Sequence, residues 1–162
     1  DSPTAKKGMT IITTPDIRWG RRDIKTVQLL APSLAKMTAK AAGADDAWMV
    51  EDGYITEGSS NNAYIITKDG TLVTRHLGNE ILAGITRKAI MRLAAKNDMK
   101  IEERLFTVEE AHNAAEAFLS SATTFVTSVI SIDGHTMGDG TPGPIALKLR
   151  EYYIEEALAS IQ

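Results

Sequence analysis

The sequence predicts an α+β fold with mixed sheets, on three observations. Short β-rich runs such as NAYIIT (62–67) and TLVTRH (71–76) alternate with segments whose apolar residues recur three or four positions apart. The chain has 162 residues, 43% of them hydrophobic and 24% charged, enough for one globular core or one core with a small appendage. No internal repeat with a period of about twenty to fifty residues occurs, which removes solenoids and propellers.

The elements follow in order. TIITTPDIRW (10–19) reads as a strand broken by Pro15, since proline cannot donate to a ladder. In TVQLLAPSLAKMTAKAAG (26–43), Val27, Leu30, Leu34, Met37 and Ala41 form a helical apolar stripe that Gly43 ends. AWMV (47–50), YIT (54–56), NAYIIT (62–67) and TLVTRH (71–76) are strands, with EDG and KDG as hairpin turns, so a meander is expected after the helix.

ITRKAIMRLAAKNDM (85–99) is a second helix whose rotation is marked by Ile85, Ala89, Arg92 and Leu93. KIEERLFT (100–107) reads as a strand, VEEAHNAA (108–115) as a short helix, and EAFLSSATTFVTSVISIDG (116–134) as two strands around a small-residue bend at SSATT. A helix over 144–161 closes the chain, entered through Gly140, Pro142, Gly143 and Pro144.

Composition excludes several functions. The net charge of -3 and scattered basic residues give no attraction to phosphate backbones, so no nucleic-acid partner is expected. No window approaches the roughly 18 consecutive apolar residues of a spanning helix, so no membrane is expected. The absence of cysteine removes disulfides and thiolate metal sites, and suits a cytoplasmic setting. DSPTAKKG begins without methionine and in polar, turn-like sequence, which reads as a linker.

Four stretches can carry chemistry. Lys25 lies where a strand-like segment gives way to a helix, behind Arg18, Arg21 and Arg22, with Asp23 the nearby carboxylate. Neighbouring cations disfavour an ammonium and can make a lysine nucleophilic, although any single lysine is by default a solvated surface residue. In ILAGITR (81–87), a glycine-containing loop runs into a helix start at Ile85 and Thr86, a layout that suits an anion or merely starts a helix. SSATT (120–124) offers hydroxyls to the same anion or only bends the chain. Glu57, in ITEGSSNN (55–62), is a carboxylate that a turn does not require.

DIRWGRRDIKTVQLL, ITEGSSNNAYIITKDG, ILAGITR and FLSSATTFVTSVISIDG resemble, in that order, the fold-type IV pyridoxal-phosphate enzymes. These are the branched-chain aminotransferases, D-amino-acid transaminases and aminodeoxychorismate lyases, and the motifs around Lys25 and Glu57 look most like the D-amino-acid transaminases. The resemblance runs from about Thr10 onward. It implies that 10–162 is the large C-terminal domain that binds pyridoxal 5'-phosphate, with mixed sheets in a pseudo-barrel and helices around it, that 1–9 is an interdomain linker remnant, and that a small N-terminal domain is absent from this chain. The chain would then be truncated, or one half of a clipped protein whose N-terminal fragment is a separate piece.

The resemblance also implies roles. Lys25 would form the Schiff base and move the proton between Cα and C4′. Glu57 would pair with the protonated pyridine nitrogen, which keeps the ring an electron sink. Leu82 would pack on the ring, and Gly84, Ile85 and Thr86 would bind the phosphate. Ser121 falls on a phosphate-loop hydroxyl, Ala122 stands where some D-amino-acid transaminases carry threonine, and Thr123 can supply the missing bond. Ser59 and Ser60 lie where the family approaches the cofactor, and Asn62 reads as structural.

The implied reaction is ping-pong transamination from a D-amino acid to a 2-oxo acid, in a homodimer. The L-specific and lyase activities are alternatives within the family, and a catalytically dead domain is an alternative from another class. Elsewhere, His76, His112 and His135 show no zinc spacing, Trp19 and Trp48 read as packing residues, and the run from Glu102 to Glu116 reads as an acidic, solvated face.

Overall fold

The computed structural model describes residues 3–159. The chain opens with α1 (Pro3–Lys7), a single turn that buries Ala5, and then enters β1 (Met9–Pro15). The segment read as turn-like is therefore partly helical, while its first two residues lie outside the described ones. Pro15 ends β1 as expected, and an irregular segment, 16–29, carries the chain to α2 (Leu30–Ala41).

The start and the buried face of α2 both differ from expectation. Its inward residues are Ala35 and Ala39, which pack on Ala47 and Met49 of β2 (Asp46–Glu51). Alanines one turn apart let the helix lie close against the strand, so the larger side chains are turned outward. Val27 is 94% exposed, Leu30 75% and Met37 67%, and Leu34 is also exposed. Spacing located the helix, but the small residues decided which face is buried.

β2 pairs with β3 (Tyr54–Gly58) through a two-residue turn in which Asp52 and Gly53 have φ of 51° and 82°, the left-handed pair that a tight hairpin needs. β4 (Asn62–Ile66) and β5 (Leu72–Thr74) form the second hairpin. The two hairpins do not join into the predicted meander. The sheet order is β3-β2-β1-β8-β7-β4-β5-β6, where β6 is Ile101–Glu103, β7 Glu116–Ser121 and β8 Phe125–Ile132. Three strands therefore separate β2 from β4 in the sheet.

Only residues 59–61 connect β3, at one edge, to β4, well inside, so the sheet must curl. The curl nearly closes: Ile55 N–H donates to the Phe106 carbonyl at 3.0 Å, and Tyr54 bridges Thr107 beyond β6. This is the curled half-barrel that the family resemblance implied. β9 (His135–Thr136) adds a short strand to β8.

The strands of the curl bury both faces. Along β4, Ala63 and Ile65 point into the interior cluster with Trp48, Phe106 and Leu119, while Tyr64 and Ile66 meet Phe118, Ile90 and Leu149 outside. That explains why NAYII shows no polar alternation. The outer cluster is covered by α3 (Ile85–Lys96) and α5 (Pro144–Ala159). In α3 the buried face is Thr86, Arg87, Ile90, Leu93 and Ala94; Ile85 is 75% exposed, and Arg92 turns out toward Glu156 of α5. The expected rotation was thus off by about one position. α4 (Val108–His112) is shorter than predicted and starts in a capping box of Thr107 and Glu110. Residues 160 and 161 of the expected last helix lie outside the described ones.

Glu116 corrects the reading of its stretch as a solvated face. It is buried, and its two oxygens accept the N–H groups of Ile145 and Ala146 at 3.0 and 2.9 Å, capping α5 from β7. Glu116→Ala leaves one buried and one partly buried donor without its partner and is expected to cost about 2 kcal/mol. A thermal melt should show Tm lower by about 4–8 °C; a variant melting with the wild type would refute the capping role.

Candidate functional site

One open cavity of about 920 Å³ lies where the irregular segment 16–29, the β3–β4 connection, the entry to α3 and the β7–β8 turn come together. Every residue to which the resemblance gives a cofactor role lines it. Lys25 comes from the irregular segment, where it is exposed. Glu57 comes from the end of β3, Leu82, Gly84, Ile85 and Thr86 from the run into α3, and Ser121, Ala122 and Thr123 from the turn. Ser59, Ser60 and Asn62 also line it. Four segments far apart in sequence thus meet in one place.

Glu57 is the best-defined feature. Only 4% of it is exposed, yet it accepts hydrogen bonds from Arg18 Nη1 at 2.6 Å, Asn62 Nδ2 at 2.9 Å and the Leu82 N–H at 3.1 Å. Burial pushes its carboxyl up to about 7, while the Arg18 charge and hydrogen bond and the Leu82 N–H pull the other way. Asn62, read as structural, also donates to the Leu82 carbonyl at 2.9 Å and so ties β4 to the loop before α3. It is structural in service of the site.

The arginines upstream of Lys25 are each paired with a carboxylate. Arg18 is held by Asp16 and Glu57, Arg22 by Glu51, and Arg21 by Asp23. Asp23, read as the nearby carboxylate, is therefore one of four serving these cations. The other partners were hidden because strand pairing alone brings 51 and 57 to 16–22. Asp16 and Arg18 were legible only as an i, i+2 pair that shares a side of an extended chain.

The entry to α3 has the features of an anion site. Gly84 sits at the N-cap with no side-chain cap, and Thr86 Oγ1 is buried without a hydrogen-bond partner. A Cβ at Gly84 would lie 2.4 Å from Asn62 Oδ1, so this position leaves no room for a side chain. In the β7–β8 turn the hydroxyls are already engaged with one another. Ser121 Oγ meets Thr124 Oγ1 at 2.8 Å and Thr123 Oγ1 at 3.2 Å, and accepts the Thr124 N–H. Ser120 is turned away, with its Oγ 2.8 Å from the Tyr64 hydroxyl.

Several residues depart from the sequence reading. Trp48 is fully buried packing, but Trp19 is 45% exposed and lines the cavity. His112 and His135, distant in sequence, stack with ring centres 4.7 Å apart, and His112 Nε2 lies 3.7 Å from Asp133. Among the described residues no group of three metal-ligating side chains occurs, and no helix is long and apolar enough to cross a membrane.

A D-alanine aminotransferase of Bacillus licheniformis is 41% identical to this chain over 140 residues, which cover 86% of the chain and 49% of that protein. A D-alanine aminotransferase of Listeria monocytogenes is 43% identical over 150 residues, covering 93% and 52%. Among solved structures, the branched-chain amino acid aminotransferase of Thermobaculum terrenum in its PLP form superimposes with a TM-score of 0.83 at 29% identity, over 93% of this chain and 51% of that one. The Escherichia coli branched-chain enzyme gives 0.84 at 26% identity, over 96% and 53%. The chain spans about half the length of the curated relatives it matches. The family described as amino-transferase class IV matches residues 2–132, and the four motifs and the curled sheet agree with it: the chain belongs to the class IV, or fold-type IV, aminotransferases.

Proposed function

We propose that this chain is the cofactor-binding part of a D-amino-acid transaminase, which passes the amino group of a D-amino acid such as D-alanine to a 2-oxo acid in a ping-pong cycle. The observation that carries the reading is the convergence of Lys25, Glu57, Thr86 and the 121–123 turn on one cavity. Identities of 41% and 43% to D-alanine aminotransferases favour the D-specific activity over the branched-chain one.

The residues present fit pyridoxal phosphate. Three carboxylates, Asp16, Glu51 and Glu57, meet two guanidiniums, Arg18 and Arg22, which leaves room for one more positive charge at the buried Glu57. A protonated pyridine nitrogen supplies it. The uncapped start of α3, with the partnerless Thr86 hydroxyl, suits a phosphate. Leu82 would flank the ring, Gly84 and Ile85 would offer backbone at the phosphate, and Ser121, Ala122 and Thr123 would wall its other side. Ser121 and Thr123 would have to exchange their mutual bond for one to the phosphate.

When bound, the cofactor supplies an aldehyde for amines and a ring that takes up electrons from the substrate Cα. The remaining work falls to the chain. Lys25 Nζ would hold the cofactor and later carry the proton at the substrate Cα. Glu57 would hold the proton on the ring nitrogen. In this reading only the residues before β1 are a linker, since Met9 already pairs in the sheet, a small N-terminal domain grips the substrate carboxylate, and the protein is a cytoplasmic homodimer. The L-branched-chain activity and the lyase are the alternatives.

Borohydride reduction in the presence of pyridoxal phosphate, followed by peptide mass mapping, should place a pyridoxyl group on Lys25. D-alanine, L-leucine and aminodeoxychorismate assayed side by side should show turnover of D-alanine. Turnover of L-leucine alone would discard the D-specific reading, and a folded chain with no adduct would favour a catalytically dead domain.

A further inference from the structure

We infer that Arg18 is a positioning residue for Glu57: its guanidinium fork spans Asp16 and Glu57 and favours the anionic form of the buried Glu57 carboxyl at the cavity wall. Arg18 is set before it meets Glu57. Its Nε and Nη2 donate to the two oxygens of Asp16 at 2.9 and 2.7 Å, and its own N–H donates to Asp16 at 3.2 Å. Asp16 is in turn fixed: its side chain is fully buried, and the Thr56 hydroxyl donates to it at 2.7 Å. Burial works against the Asp16 carboxylate, but the hydrogen bonds from Arg18 and Thr56 outweigh it and hold its pKa below the ordinary value. Only Nη1 remains, and it reaches Glu57 Oε1 at 2.6 Å.

No other cation contacts Glu57 among the described residues. Arg22 is committed to both oxygens of Glu51 at 2.7 and 2.8 Å, and lies 3.6 Å from Asp16. The other groups around Glu57 are the neutral donors Asn62 Nδ2 and Leu82 N–H, the buried Tyr64 hydroxyl, and the negative Asp16. Lys25 is on the cavity wall. Without Arg18 a carboxylate that is 4% exposed would face neutral donors and a second carboxylate, and would bind a proton. A protonated Glu57 could not hold a proton on a ring nitrogen, so the use of this device rests on the functional reading above. Lysine cannot replace the fork, because a single ammonium does not span two carboxylates in that geometry.

The test is a ¹³C NMR titration of the 162-residue chain labelled at glutamate Cδ, without cofactor, with the Glu57 signal assigned through Glu57→Gln. Both Arg18→Met and Arg18→Lys should raise the Glu57 midpoint by at least about one pH unit, with the smaller rise in the lysine variant. A midpoint unchanged in a variant that still melts cooperatively overturns the assignment. Should Arg18→Met fail to fold, the lysine variant decides alone. The titration is read without cofactor, so it stands whether or not Lys25 acquires a pyridoxyl group, and a failed titration leaves that reading intact.

Discussion

In the complete enzyme Lys25→Ala is expected to abolish the pyridoxyl adduct and to lower transamination by roughly 10⁴-fold, the upper range for a group that carries the reacting proton. The fold should survive. Lys25 is exposed and lies in the irregular segment 16–29, outside the three buried clusters, and no hydrogen bond of the described residues depends on its side chain. The variant should therefore melt within about 2 °C of the wild type, as is usual for surface substitutions. Adduct mapping and the melt together separate this from general damage. An adduct appearing on another lysine, with turnover retained, would remove Lys25 from its role.

The motifs were legible because each pairs a residue type with a local frame: a lysine at the end of a strand-like run, a glycine before a helix start, hydroxyls in a turn. Glu57 was legible because nothing local required it. What supports it was not legible. Asp16 and Arg18 follow β1, Glu51 ends β2 and Asn62 begins β4; the pairing of β1 with β2 and of β2 with β3 brings the first three to the end of β3, and the curl sets β3 beside β4. The meander was the natural expectation from hairpin turns, yet β1, β7 and β8 separate β2 from β4. Pairing order is a long-range property that periodicity does not encode. The α2 stripe failed for a related reason: hydrophobicity marked Leu30, Leu34 and Met37, whereas close approach to β2 required Ala35 and Ala39.

Glu57→Gln should cost about 10²- to 10³-fold in turnover, the range for removing one preorganised charge partner in a water-excluded site. Glutamine keeps an oxygen for Arg18 but cannot offer the ring nitrogen a full negative charge, and its amide would set a donor against Asn62 Nδ2. The same substitution has a pH signature in the cofactor-free chain. Folding raises the Glu57 pKa from its ordinary 4.5 to about 7, so between those values the folded chain binds more protons than the unfolded one. The stability that this carboxyl contributes is present below about pH 4.5 and is lost as pH rises through about 7. Glutamine does not titrate. Relative to wild type, the variant's stability should therefore improve by about 3 kcal/mol between pH 4.5 and 8, whatever its absolute penalty. Urea unfolding of both chains at the two ends of that window measures the difference directly. A stability gap that stays constant across the window would mean that Glu57 is ionised throughout, and that Arg18, Asn62 and the Leu82 N–H outweigh its burial.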